Sequence, residues 1–233
     1  MCGEKVKAER AIIAIDGPAG AGKSTVAREL ARRLRLRYLD TGAMYRALTL
    51  KALRERLDLD DERGLAGMAR STEIASDHQV GARPPYRVFM DGEDVTSAIR
   101  SREVSTHVSQ VSSHPAVRTA MVRKQRLIAG KGGVVVEGRD VGTVVFPRAD
   151  LKFFLTASTA ERVQRRYREM RREGYEVSLK TVQQEMVRRD RLDSTREVNP
   201  LRRAPDALLV DTTGMSASQV VNMLLRLARS RLS

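Results

Sequence analysis

Residues 17–24 read Gly-Pro-Ala-Gly-Ala-Gly-Lys-Ser, and no other stretch of the chain narrows the possible folds so far. The segment satisfies G-x-x-x-x-G-K-[ST] in full. Its context is also the required one. Ala11-Ile12-Ile13-Ala14-Ile15 before it is a short apolar run, read as a strand buried on both faces. Lys23 to Leu36 after it carries Val26, Ala27, Leu30, Ala31 and Leu34 at helical spacing. The glycines let the backbone bend around phosphate and turn its N–H groups inward. The helix start adds partial positive charge. Gly17, Pro18, Ala19, Gly20, Ala21, Gly22, Lys23, Ser24 and the following Thr25 are therefore the expected ATP-binding residues. Lys23 reaches the β- and γ-phosphates, and Ser24 supports Mg²⁺ directly or through water.

Further short strands are expected at Arg37–Leu39, Val134–Val136, Leu151–Leu155 and Ala207–Val210. Helices separate them. His114-Pro115, Ser158 with Glu161, and Ser216 with Gln219 each mark a helix start, and Thr41-Gly42 can cap a helix from about Ala43 to Arg56. Alternating strands and helices predict an α/β fold of the P-loop NTPase type. It is a doubly wound parallel five-stranded sheet with helices on both faces. Asp91-Gly92 between alternating residues signals a hairpin, which does not belong inside a parallel sheet. It places a small antiparallel β insert at about residues 72–100. Length favours a single domain over 1–233.

The phosphate loop does not choose the reaction by itself. No Asn-Lys-x-Asp motif of the GTPases is present, and the length leaves no room for the modules of a motor or helicase. A small-molecule kinase is the class that remains. The formal net charge of +14 fits either an enzyme that gathers anionic substrates or a nucleic-acid binder. Only four Phe and five Tyr occur, with no Trp, so stacking residues for a polymer are scarce. Cys2 is the single cysteine, which leaves no internal disulfide or thiolate cage. His78, His107 and His114 have no metal-ligand spacing. There is no apolar run near the length of a membrane span and no secretory signal in Met1–Arg10. A cytoplasmic monomer acting on small molecules is expected, without nucleic-acid or membrane partners.

Several further motifs appear in one order. They are Asp40-Thr41-Gly42-Ala43-Met44-Tyr45-Arg46, Ser109-Gln110-Val111, Val117-Arg118 and Gly138-Arg139-Asp140-Val141-Gly142-Thr143-Val144-Val145-Phe146-Pro147, followed by the segment from Arg189-Asp190 to Arg196. With Ile15-Asp16-Gly17-Pro18 and the phosphate loop, this set resembles the bacterial cytidylate kinases over nearly the whole chain. The resemblance implies a CORE sheet, a nucleotide-monophosphate-binding region at about 40–112 containing the β insert, and a helical lid at about 162–178. It implies transfer of the γ-phosphate of ATP to CMP or dCMP. Thr41, Arg46, Ser109, Arg118, Arg139, Asp140, Arg189, Asp193 and Arg196 are the implied CMP-binding residues. Lys23, Arg139, Arg165 and Arg189 are the implied charge-neutralising catalytic residues, with Mg²⁺ as cofactor.

Residue chemistry agrees with these assignments. The N4 amine of cytosine donates, so a carboxylate such as Asp140 is a fitting acceptor. Arginines such as Arg46 and Arg139 bind phosphate in bidentate fashion. Arg118 shares its helix with Arg123, Lys124 and Arg126, where a solvated face is the usual reading. Two alternatives stand beside this one. The first is another P-loop kinase preferring UMP or dTMP. The second is a basic nucleic-acid-binding protein with a degenerate nucleotide site.

Overall fold

A computed structural model of the chain describes residues 10–78, 86–130 and 132–232. Cys2 and Pro84-Pro85 lie outside these residues. In chain order the elements are β1 (Ile12–Asp16), α1 (Lys23–Leu34), β2 (Arg37–Asp40), α2 (Thr41–Arg54), α3 (Glu62–Ser71), β3 (Ile74–His78), β4 (Tyr86–Met90), β5 (Glu93–Asp94), α4 (Arg102–Val111), α5 (Pro115–Ala129), β6 (Val134–Gly138), β7 (Leu151–Thr156), α6 (Thr159–Arg172), α7 (Leu179–Thr195), β8 (Leu208–Asp211) and α8 (Ala217–Leu232). Two compact units result: Met1–Leu36 with Gly132–Ser233, and Arg37–Lys131.

The large sheet has the order β2-β6-β1-β7-β8. Pairing of β1 with β6 and β7, and of β7 with β8, is parallel. The α/β sheet expected from the sequence is thus observed. Apolar runs without alternation explain it, because β1 and β6 are covered on both faces and have almost no exposed residue. Strand β1 is the first in the chain, yet it lies between later ones. Its C-terminal end is therefore the switch point where such sheets bind ligands. In the β1–β6 register Asp16 stands opposite Gly138, so the phosphate loop and the Arg139-Asp140 segment leave adjacent strand ends.

Helix starts follow the capping chemistry of the sequence. Ser158 Oγ accepts from the Glu161 N–H at 3.2 Å, and Ser178 Oγ accepts from Thr181 at 3.0 Å. Ser216 and Gln219 form a reciprocal capping box. The start of α2 differs from expectation. Asp40 is its cap, accepting from the Ala43 N–H at 2.9 Å, and Thr41 is the first helical residue. Within the first unit, Val163, Met170, Val182 and Met186 of α6 and α7 form a small apolar core of their own, and Ala19 packs against it.

The second unit contains the expected β insert as a three-stranded antiparallel sheet, β3-β4-β5. Met90 pairs with Glu93, leaving Asp91-Gly92 as a two-residue loop with φ of 50° and 84°. Two positive φ values define the type I′ turn that suits hairpin twist. Helices α3 and α4 and strand β3 carried no sequence signal that stood out. The α4 sequence Arg-Glu-Val-Ser-Thr-His-Val-Ser-Gln-Val is rich in weak helix formers. Burial of Val104, Val108 and Val111 along one face sustains it instead.

A Cβ on Gly17 would lie 2.0 Å from the Leu155 carbonyl oxygen, whereas one on Gly92 would meet nothing. Gly92→Ala is expected to cost only the left-handed backbone penalty, about 1–2 kcal/mol. Gly17→Ala should cost more than twice that. Urea unfolding of both variants checks the order.

Candidate active site

Lys23 is buried at the first turn of α1, and its Nζ donates to the Pro18 carbonyl at 2.8 Å. The ammonium thus spans the phosphate loop from inside. Gly22 sits just before the helix in a left-handed conformation that glycine adopts without strain. Burial, then the neighbouring Arg139 guanidinium, push the Lys23 ammonium down to about 7, against the opposing pull of Glu137. Asp16 adds a weaker pull in the same direction as Glu137.

Asp16, the last residue of β1, fastens the neighbouring loop. Its buried carboxylate accepts from the backbone N–H groups of Val141 at 2.8 Å and Gly142 at 2.7 Å. The loop continues as a π-helical turn, Val141–Val145. Turns of this kind are frequent at functional sites. Burial raises the Asp16 carboxyl to about 6, although the two backbone donors favour its ionised form.

Immediately before that turn, Arg139 Nε donates to Asp193 Oδ2 at 2.9 Å. Arg189 Nε lies 4.0 Å from the same oxygen, and Arg196 Nη2 lies 3.5 Å from Asp140 Oδ1. Arg196 Nε also donates to the Asn199 carbonyl at 2.6 Å. Burial works against the charge on Asp193, but Arg139 and Arg189 hold its carboxyl below the usual range. The Arg189 guanidinium is pushed down to about 10 by burial and then by Arg139. Lys23, Arg139, Arg189, Asp193, Asp140 and Arg196 thus form one electrostatic group within the first unit. Arg165 meets the phosphate loop at a different point. Its Nη1 lies 3.8 Å from the position of a Cβ on Gly22. It donates to Thr212 Oγ1 and O at 2.9 and 2.6 Å and to Glu161 at 2.9 Å.

The remaining expected residues belong to the second unit. Thr41 is buried at the start of α2. Arg46 Nη1 donates to Ser105 Oγ at 2.8 Å and to the Ile99 carbonyl at 3.2 Å. Ser109 is buried on α4. Arg118 is only 2% exposed, unlike a solvated-face arginine. Its Nη1 donates to the Ser112 carbonyl at 3.1 Å, and its guanidinium carbon stands 5.4 Å over the Tyr45 ring. Thr41 and Tyr45 are one turn apart on the same face of α2.

Four residues important to this geometry were given no role by the sequence reading: Asp16, Glu137, Arg162 and Asp190. Glu137 is a buried carboxylate on β6, one residue before Gly138, and its charge acts on Lys23 and Arg139. A signal was present for two of them. Asp16 and Glu137 are charged residues ending apolar strands, where burial is costly unless a partner waits.

Residues 13–230 match the family described as cytidylate kinase. The chain belongs to the cytidylate kinase family. A cytidylate kinase of Desulfitobacterium hafniense (strain Y51) is 54% identical over 215 residues, covering 92% of this chain and 91% of that protein. The cytidylate kinase of Bacillus subtilis (strain 168) is 49% identical over 213 residues, covering 91% of this chain and 94% of the relative. A crystal structure of an uncharacterized protein from Eubacterium ventriosum ATCC 27560 shares the fold, with a TM-score of 0.52 at 15% identity over 95% of this chain and all of that one.

Asp16 provides a pH-dependent test in this cytidylate kinase family member. Its carboxyl rises from an ordinary 3.8 to about 6 on folding. The folded protein therefore holds the proton that the unfolded chain has released between these values. That contribution is full below about 3.8 and is lost as pH rises through 6. The stability of the wild type relative to Asp16→Asn is expected to grow as pH falls from 7 to 4, by at most about 3 kcal/mol. Urea unfolding of the pair at several pH values measures it.

Proposed function

We infer that this chain transfers the γ-phosphate of ATP to CMP or dCMP, giving ADP and CDP or dCDP. The observation carrying this reading is the buried cationic group at the β1 and β6 strand ends. Two of its cations, Lys23 and Arg189, are already discouraged from holding their charge, and a transferring phosphoryl group would relieve both. Cytidylate kinase relatives at about half identity support the same reaction.

Phosphoryl transfer needs positioning and charge neutralisation more than covalent help. Backbone N–H groups of Gly17–Ser24 and the start of α1 receive the donor phosphates. Lys23, Arg139 and Arg189 neutralise charge that develops on the transferred group. Arg165, near Gly22, serves the donor side. The acceptor is already a phosphate oxyanion, so no general base is required. Arg46 and Thr41 take the acceptor phosphate, while Ser109, Arg118, Asp140 and Arg196 take the cytosine and its sugar. Asp193 aligns Arg139 and Arg189.

The exposed Ser24 hydroxyl, on the first turn of α1, is a hard oxygen donor and fits Mg²⁺ better than a soft metal. Among the described residues no group of three His, Cys, Asp or Glu could hold a metal ion by itself. When bound there, Mg²⁺ would supply further neutralisation of the phosphate charge.

Base choice follows from satisfaction of Asp140. Cytosine offers N4–H to its carboxylate, whereas uracil sets another acceptor, O4, against it. No helix among the described residues is long and apolar enough to cross a membrane. We take the protein to work as a cytoplasmic monomer.

ADP release with CMP, dCMP, UMP and AMP as acceptors tests the reading. CMP or dCMP should exceed UMP by about 100-fold in kcat/KM, and preferred turnover of UMP would overturn the assignment. Lys23→Met should lower kcat by about 100-fold or more. Asp140→Ala should raise KM for CMP and narrow the CMP-to-UMP ratio, measured in the same assay.

A further inference from the structure

Six arginines crowd α6 and its exit, and one of them is not a surface residue. The Arg162 side chain is 8% exposed. Nε donates to the Ala157 carbonyl at 3.2 Å, and Nη2 donates to Thr159 Oγ1 at 3.3 Å. Nη1 is shared between the Ala19 carbonyl at 3.1 Å and Asp190 Oδ2 at 2.5 Å. Ala19 belongs to the phosphate loop, and Asp190 belongs to α7. One guanidinium therefore ties the donor loop to the helix that carries Arg189 and Asp193.

The contact with Ala19 has a stereochemical consequence. In a trans peptide the N–H points opposite to the preceding C=O. Holding the Ala19 carbonyl toward Arg162 turns the Gly20 N–H the other way, away from α6. Packing reinforces the arrangement. A Cβ on Gly20 would lie 3.0 Å from Arg162 Cβ, Arg162 O and Met186 Cε, so α6 and α7 approach the loop with no room for a side chain there. Ala19 also packs on the apolar core of Val163, Met170, Val182 and Met186. The contact with Asp190 acts on α7, because Asp190 directly follows Arg189 and precedes Asp193 by less than one turn.

We propose that Arg162 is a positioning residue for phosphoryl transfer: it orients the Ala19–Gly20 peptide for the donor phosphates and, through Asp190, fixes the placement of Arg189 and Asp193. This rests on the ATP-dependent reading given above. Lysine cannot reproduce the role in full. It carries the charge but lacks the planar fork that meets a carbonyl and a carboxylate together. Asp190→Asn keeps the shape and removes the charge that holds the helix end of the link.

The test compares wild type, Arg162→Met, Arg162→Lys, Asp190→Asn and the Arg162→Met/Asp190→Asn double variant, with ATP varied at saturating CMP. Circular dichroism and thermal melts report folding. Arg162→Met is expected to lose about 100-fold in kcat and to raise KM for ATP about tenfold. Arg162→Lys should recover at least tenfold of the kcat loss. The double variant should lose much less than the product of the single losses, as coupled residues do. Arg162→Met, folded and within threefold of wild type in kcat and KM for ATP, would overturn the proposal. So would a kcat loss that only follows the folded fraction while KM for ATP stays fixed. If Arg162→Met does not fold, Asp190→Asn decides, and wild-type kinetics there overturn the proposal equally. If wild type fails to phosphorylate CMP, the functional reading fails. Calorimetric binding of ATP to wild type and Arg162→Met then still decides the positioning role: about tenfold weaker binding supports it, and equal binding refutes it.

Discussion

Burying positive charge at the end of a parallel strand is the constraint on which the rest of this structure depends. Lys23, Arg139 and Arg189 act on one another inside the protein, and burial alone disfavours the charged form of each. Glu137, Asp190 and Asp193 offset part of the imbalance. The remainder leaves Lys23 and Arg189 below their ordinary values. Arg139 is held in place by Asp193, to which its Nε donates at 2.9 Å.

Holding them requires a scaffold that does not yield. The β1 strand provides it from two directions. Its last side chain, Asp16, grips the amides of Val141 and Gly142, which sets the start of the segment after Arg139-Asp140. The residue after it, Gly17, runs so close to the Leu155 carbonyl that no side chain fits. Arg139 then reaches Asp193 on α7, and Arg162 reaches back from α6 to the loop. Each tie is a charge-assisted hydrogen bond or close backbone packing, the interactions best able to hold a geometry in a low-dielectric interior.

The second unit shows a different balance. Exposed pairs such as Lys51–Asp91 and Arg54–Glu93 decorate the insert, and pairs of this kind contribute little each. The informative contact is Arg118 over Tyr45, in which an arginine that periodicity would place in solvent is instead wholly covered. A covered guanidinium lying on an aromatic face has its rotamers restricted by that packing.

Much of this was legible in the chain itself, for physical reasons that differ between elements. Strands buried on both faces announce themselves as short apolar runs, so β1, β6, β7 and β8 could be placed to within a residue or two. Ser158 and Ser216 marked helix starts because capping is a local interaction. Asp91-Gly92 marked its turn because two positive φ values leave few residue choices. The phosphate loop was unmistakable for the same local reason. Helix α4 stayed hidden because its residues are weak helix formers, and only the packing of Val104, Val108 and Val111 stabilises it. The partnerships of Asp16 with residues 141 and 142, of Arg139 with Asp193 and of Arg162 with Ala19 and Asp190 were equally hidden. They join positions far apart in the chain, and spacing carries no information about which buried charge meets which. Local chemistry thus determined the elements and the loop, while the pairing of the charges was decided by the tertiary fold, since only there are they taken out of water and obliged to find one another.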